Sequence, residues 1–292
     1  MVVTGILFAG LLLVVYFTFD INPGRLKPKK LIELPQRWKT VLFEKVSFYQ
    51  QLSPEHKLRF ENDVVEFLST VTITGVACEV TLEDRILVAS SGVIPLFGFP
   101  ACTYKHLEEV ILYPTTFNRQ FQLDDPDELI TGMVGSVVME GKMILSKPAL
   151  HAGFDIDNDR ENTGLHEFIH LFDKETGFVD GVPPGFEDRA FALPWLQLVH
   201  RKIADIVEDR SDIRNYATTN QMEFFAVAGE YFFESPDRLK ERHPDLYEIL
   251  VKVFNQDTAS FIGENFKARE IGRNDPCLCG SGLKYKLCCW EV

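Results

Sequence analysis

The segment at residues 163–173, with the sequence TGLHEFIHLFD, constrains this chain more than any other stretch. His166 and His170 lie four residues apart, so on a helix both imidazoles face one side and can bind a single metal ion, with Glu167 beside them. Asn162 can cap the start of this helix, and apolar residues on its opposite face can enter a core. The H-E-x-x-H pattern therefore predicts the active-site helix of a zinc hydrolase. The alternative is a core helix with two incidental histidines.

A catalytic zinc ion needs a third protein ligand and keeps one position for water. The third histidine of a metzincin is excluded, because Asp173 and Thr176 occupy the positions where that pattern has glycine and histidine. A glutamate from a second helix remains, and the segment at residues 221–234, QMEFFAVAGEYFFE, is the strongest candidate. Its Glu223 and Glu230 share one helix face, so one could bind zinc while the other hydrogen-bonds a ligand. The spacing alone does not choose between them.

Asp173 is a candidate for orienting one of the histidines. It lies one helical turn beyond His170 and two beyond His166, where a carboxylate can accept a hydrogen bond from an imidazole N–H. The alternative is an acidic residue in the last turn, where the helix dipole disfavours negative charge.

Four stretches of the chain read HEFIHLFD, NYATTNQMEFFAVAGEYFFESP, HLEEVILYPTTF and GKMILSKPAL. Together they resemble the Mlc titration factor A family of zinc metallopeptidases. The similarity extends from about residue 35 to about residue 260. It implies an α+β, gluzincin-like domain in which His166, His170 and Glu223 bind zinc.

The resemblance also implies the catalytic roles. Glu167 is expected to act as general base, taking a proton from water and passing it to the leaving amine. Tyr216, seven residues before Glu223, is expected to donate a hydrogen bond to the oxyanion, with a packed loop tyrosine as the alternative. Glu230 then supports a ligand instead of the metal. A strand at residues 141–146 is expected ahead of the active-site helix, where related zinc peptidases use an edge strand to pair with extended substrate.

The C-terminal string NDPCLCGSGLKYKLCC contains four cysteines in a C-x-C-x8-C-C arrangement. Such a short segment cannot fold on a hydrophobic core, so a zinc ion held by four thiolates is its natural stabiliser. Residues 270–292 closely resemble the SEC-C motif, a zinc-binding tail that could also contact a protein partner. The alternative is disulfide formation or palmitoylation. Two zinc ions per chain are expected, one catalytic and one structural, and the structural ligands would be Cys277, Cys279, Cys288 and Cys289.

The N-terminus predicts attachment to a membrane. Residues 2–19 carry no charge and would span about 27 Å as a helix. Basic residues follow between 25 and 30, and the positive-inside rule places such a flank in the cytoplasm. This predicts an anchor at residues 1–20, a linker at 21–37, and a catalytic domain in the cytoplasm of a bacterium, tethered to its inner membrane. A cleaved signal peptide is the alternative.

The 292 residues, 46% of them hydrophobic, can bury one substantial core, which we assign to a metallopeptidase domain at residues 38–265. A net charge of −13 argues against nucleic acid as a partner and leaves a peptide or protein substrate. The alternative function is a non-catalytic, zinc-containing regulator that binds a transcription factor or the ribosome and translocon machinery. Glu167 favours the enzyme, because a purely structural site needs no base.

The remaining pattern predicts a mixture of helices and strands. Helices are expected at residues 47–60, 64–74 and 194–208, with a start near Ser53. Strands are expected at 110–113 and 137–145, and a loop at 95–100 between two prolines.

Overall fold

The computed structural model describes residues 34–99, 103–123, 127–135, 139–156, 159–174, 180–184 and 189–262, which form a mixed α+β fold. The helices are α1 Gln36–Lys45, α2 Ser47–Gln51, α3 Pro54–Thr70, α4 Leu82–Leu96, α5 Lys147–Asp155, α6 Thr163–Lys174, α7 Arg189–Val207, α8 Gln221–Glu234, α9 Pro236–Arg242, α10 Pro244–Phe254 and α11 Thr258–Ile262. The strands are β1 Thr72–Gly75, β2 Glu109–Tyr113, β3 Gly132–Val134 and β4 Lys142–Ser146. The α+β prediction is confirmed at this level.

The four strands form one sheet in the order β1-β2-β4-β3. The first three strands in that order run parallel, and β3 pairs antiparallel with β4, with Gly132 opposite Leu145. The strand predicted at residues 141–146 is present, but it lies inside the sheet and not at its edge. The edge beside it is β3, which has only three residues and was not predicted.

The predicted helices are confirmed in part. The side chain of Ser53 caps α3 by accepting a hydrogen bond from the backbone N–H of His56, as its position before a proline suggested. Residues 72–74, predicted as the end of a helix, instead belong to β1, because their β-branched side chains suit a strand that pairs with β2. The loop predicted to begin at Pro95 starts later, since that proline belongs to the last turn of α4.

Helix α6 lies between α4 and α8 at short distances that glycines permit. A Cβ on Gly92 of α4 would stand 3.0 Å from Phe168 Cε1 and 2.6 Å from Phe67 Cε2. On α8, a Cβ at Gly229 would stand 2.5 Å from Ile169 Cδ1. Phe168 and Ile169 are fully buried, so the apolar face predicted for this helix is the one that enters the core. The opposite face of α6 is left for the histidines.

The membrane prediction is wrong. Within the residues that the structure describes, no helix is long and apolar enough to cross a membrane. The longest of them, α7, has His200, Arg201 and Lys202 in succession. The prediction of a single-pass protein of the inner membrane is corrected accordingly. The segment predicted as the membrane anchor, residues 2–19, and the cysteine tail at 270–292 both lie outside the described residues.

Candidate metal centre

Helix α6 begins where the sequence predicts, because Asn162 caps it. The side-chain oxygen of Asn162 accepts a hydrogen bond from the backbone N–H of Leu165 at 3.0 Å. Its amide nitrogen donates to the carbonyl oxygen of Gly153 at 2.6 Å, which ties the start of α6 to α5. Asn162 is buried, so this cap fixes the first turn of the helix and, with it, the direction of the histidine face.

His166, His170 and Glu223 bring one side-chain atom each to a common point. Nε2 of His166 lies 2.9 Å from Oε2 of Glu223 and 3.1 Å from Nε2 of His170. The remaining side of the triangle, from His170 Nε2 to Glu223 Oε2, measures 3.5 Å. Asn220 fixes the glutamate end, since it caps α8 by accepting a hydrogen bond from the backbone N–H of Glu223.

This triangle suits a zinc ion. Ligand atoms about 2.0–2.1 Å from a tetrahedral zinc ion lie about 3.3 Å from one another, which falls within the range of the three distances. Two imidazole nitrogens and one carboxylate oxygen are also the donors of a common type of catalytic zinc site. The residues therefore fit the ion in spacing and in chemistry.

Glu230 lies on the other side of His166. Its Oε1 is 2.8 Å from Nδ1 of that imidazole, and it also accepts a hydrogen bond from Arg214 at 2.6 Å. Its Oε2 accepts from the backbone N–H of Asn162 at 2.6 Å. Glu223 thus faces the Nε2 atoms of the two histidines, whereas Glu230 lies against the opposite edge of the His166 ring.

The charges around the histidines favour a cation. Burial alone would lower the pKa of His166, but the carboxylates of Glu230 and Glu223 outweigh it and raise that pKa to about 10. Burial would also raise the pKa of Glu223, but hydrogen bonding to His166 and His170 brings it well below its usual range. The negative charge of these carboxylates, which stabilises a proton on His166, would also attract a divalent metal ion.

Glu167 lies in the same cleft and is only 7% exposed. Burial raises the pKa of its carboxyl group, in spite of the nearby histidines. A Cβ added to Gly132 of the edge strand β3 would stand 2.6 Å from both Cγ and Oε1 of Glu167. The absence of a side chain at this position lets the edge of the sheet approach the carboxylate.

Tyr216 stands at the mouth of the cleft. It belongs to a 3-10 helix, Asn215–Thr218, and 52% of its surface is exposed. Its ring centroid lies 5.8 Å from that of His166. Burial, followed by the charge of Glu223, raises the pKa of its hydroxyl, so the phenol keeps its proton and can donate it in a hydrogen bond. The cleft measures about 500 Å³ and also exposes Leu129 and Ile156.

Two residues that support the site were not predicted. Arg214 pairs with Glu230 and, at 3.5 Å, with Glu161. Asp212 accepts hydrogen bonds from the hydroxyl of Tyr231 at 2.9 Å and from Arg238 at 2.8 Å, which anchors the segment before Tyr216. Neither belongs to a motif with recognisable spacing, and their proximity to Tyr216 in the chain was the only available signal.

Asp173 does not reach an imidazole, which corrects the orienting role predicted for it. Its Oδ2 accepts a hydrogen bond from the backbone N–H of Gly181 at 2.8 Å. Burial raises the pKa of its carboxyl group to about 8. Nδ1 of His166 is occupied by Glu230, while Nδ1 of His170 has no hydrogen-bond partner within the described part of the chain. Asp173 therefore fastens the end of α6 to the following segment.

Comparison with known proteins agrees with both resemblances. The profile of the glucose-regulated metallo-peptidase M90 family matches residues 25–255, and that of the SEC-C motif matches residues 273–291. Mlc titration factor A of Pectobacterium atrosepticum is 32% identical over 190 residues, which cover 61% of this chain and 67% of that protein. The uncharacterized protein slr2042 of Synechocystis sp. is 27% identical over 235 residues, or 76% and 84% of the two chains. The M90 match includes all the candidate residues of the metal centre.

Proposed function

Because the chain belongs to the glucose-regulated metallo-peptidase M90 family, we propose that it is a zinc-dependent metallopeptidase that hydrolyses peptide bonds. The observation that carries the proposal is the convergence of His166, His170 and Glu223, with Glu167 in the same cleft. The zinc site and the roles of these residues are part of the proposal. A gluzincin-like arrangement, with two histidines from one helix and a glutamate from a later helix, describes it best.

The mechanism follows from the groups that line the cleft. His166, His170 and Glu223 would hold zinc, which would supply a Lewis acid for the scissile carbonyl and lower the pKa of a bound water. Glu167 accepts the proton of the attacking water and delivers it to the leaving amine. The hydroxyl of Tyr216 donates a hydrogen bond to the developing oxyanion. Glu230 keeps the ring of His166 in the orientation that turns Nε2 toward the metal.

The substrate is proposed to bind as an extended peptide along β3. That strand is the edge of the sheet next to Glu167, and in the described part of the chain no strand pairs with its other side, where one more strand could add through backbone hydrogen bonds. Sequence reasoning assigned this task to residues 141–146, but β4 is already paired on both sides, with β2 and with β3. The absence of a side chain at Gly132 brings this edge, and a peptide paired with it, next to the base.

The test of the function is metal-dependent cleavage of a peptide library. Purified full-length protein is expected to cut library peptides, to lose this activity after removal of metal with a chelator, and to regain it on addition of zinc. Mass spectrometry of the products would identify the cleaved bonds. Hydrolysis that persists undiminished in metal-free protein would contradict the proposal, as would zinc-loaded protein that cuts no peptide.

The tail is proposed to hold a second, structural zinc ion through Cys277, Cys279, Cys288 and Cys289, which is supported by the SEC-C match. Intact protein is expected to contain two zinc ions per chain. Truncation before Ile271 should remove one of them without loss of peptide hydrolysis, because a closed four-thiolate site has no position for water. Metal analysis together with an activity assay would check this. A truncated protein that still contains two zinc ions would contradict the assignment.

A second candidate function is regulation by binding. Several relatives carry the name Mlc titration factor A, which describes a regulatory role for those proteins. A chain of this kind would bind a transcription factor or another protein partner and use zinc only to keep its shape. Zinc-loaded protein that binds such a partner but cleaves no peptide would favour this second function over the first.

A further inference from the structure

A second cavity, of about 200 Å³, lies next to the metal centre. Asn162 lines both this cavity and the cleft, so the cap of α6 forms part of the wall between them. The apolar part of the cavity wall comes from five helices, and its members are Phe48, Ile94, Phe154, Leu165 and Phe233. The polar part consists of Gln50, Gln51 and Ser47 of α2, Lys45 at the end of α1, and Glu234 at the end of α8.

Glu234 is the acidic residue that lines this cavity. Its Oε2 is buried and has no hydrogen-bond partner among the residues that the structure describes. Burial, followed by the charge of Glu230, raises the pKa of this carboxyl group to about 8, although a hydrogen bond with the side chain of Asn162 acts in the opposite direction. A buried carboxyl oxygen without a donor is costly, so the group is suited to a ligand that brings one.

Lys45, the cation on the cavity wall, pairs with carboxylates other than Glu234. Nζ of Lys45 lies 2.7 Å from Oδ1 of Asp155 and 3.6 Å from Oε1 of Glu83, at the surface side of the cavity. Its charge is therefore shared by two other carboxylates. Glu234 is left as an acidic group inside an otherwise mainly apolar chamber.

We propose that this cavity is a binding site for a small organic cation, a primary amine carried on an apolar or aromatic group. The ammonium would donate a hydrogen bond to Oε2 of Glu234, and the apolar group would pack against Phe48, Phe154 and Phe233. Gln50, whose Nε2 donates to the carbonyl oxygen of Phe43 at 2.8 Å, and Gln51 also line the cavity, and their amide oxygens are of the type that accepts a hydrogen bond from an ammonium. An ammonium group would hold the Glu234 carboxyl group in its ionised form, whereas an uncharged molecule would leave it in the neutral form that burial favours.

The test compares 2-phenylethylamine with 2-phenylethanol, which has a similar shape but no positive charge, by isothermal titration calorimetry of the full chain. The amine is expected to bind at one site per chain, about 10–100-fold more tightly than the alcohol, as for one charge-assisted hydrogen bond. Glu234→Gln should abolish this preference. Glu241→Gln, the same change at an exposed glutamate of α9, should keep it.

Thermal unfolding of Glu234→Gln without ligand would show that the variant folds, and its midpoint is expected to equal or exceed that of the unchanged protein, because a buried carboxyl group becomes a neutral amide. Equal affinity for amine and alcohol, no binding of the amine, or undiminished amine binding by folded Glu234→Gln would each overturn the proposal. Because binding is measured without peptide substrate, its failure would be distinct from failure of the proposed peptidase function.

Discussion

Glu167→Gln is expected to lower the rate of peptide hydrolysis by about 10²–10⁴-fold, the usual contribution of a general base, while the zinc content stays unchanged. The amide keeps the shape of the side chain, so its contact with the backbone at Gly132 is preserved. It cannot accept a proton from water and return it to the leaving amine. Glu167 is not one of the three proposed ligands, so its substitution is expected to leave the affinity for zinc unchanged.

The experiment measures kcat on one cleaved library peptide and the zinc content of the same preparation. Glu248→Gln, at an exposed position of α10, is the matched control and should keep full activity. Undiminished kcat in Glu167→Gln would remove the base from the mechanism. Loss of zinc together with activity would instead move this residue into the group that holds the metal.

Glu223→Ala and Glu230→Ala should differ strongly in their effect on zinc. Removal of the Glu223 carboxylate takes away one of three proposed ligands and should reduce the zinc content of intact protein from two ions per chain to one. Removal of Glu230 leaves the three ligand atoms but releases the ring of His166, and a loss of about 10–100-fold in zinc affinity is expected.

Competition with a metal-binding dye would provide both dissociation constants, and Glu241→Ala serves as the exposed control. The order of the two effects is the informative result. If Glu230→Ala empties the site while Glu223→Ala keeps it filled, the ligand has been assigned to the wrong turn of α8.

The helix that carries the H-E-x-x-H pattern was easier to predict from the sequence than the elements around it. An H-E-x-x-H pattern has few uses, and the helix that carries it follows from capping and an apolar face. Helix α4 was missed because twelve of its fifteen residues are buried, so it lacks the alternation of polar and apolar faces that identifies a surface helix. Strand β3 was missed because three residues, one of them Gly132, are too few to show a period of two.

Supporting residues were harder to predict than ligands. A ligand pair on one helix has a fixed spacing, whereas Arg214 and Asp212 act across long sequence distances that only the folded chain closes. For Asp173 the sequence spacing suggested a contact that the fold does not make. Its spacing from His170 places it within one helical turn, but its carboxylate points to the backbone at Gly181, which lies in a segment that helical periodicity does not describe.

The close packing at Gly229 has a consequence for the proposed metal centre. This glycine lies one residue before Glu230 on the helix that also carries Glu223, and it lets that helix rest directly on Ile169, which lies between the two histidines in the chain. The distance between Glu223 and the histidines therefore depends on how closely these two helices pack. In the proposed zinc site, a core residue that touches no ligand atom would thus contribute to the match between the ligand triangle and the radius of the ion.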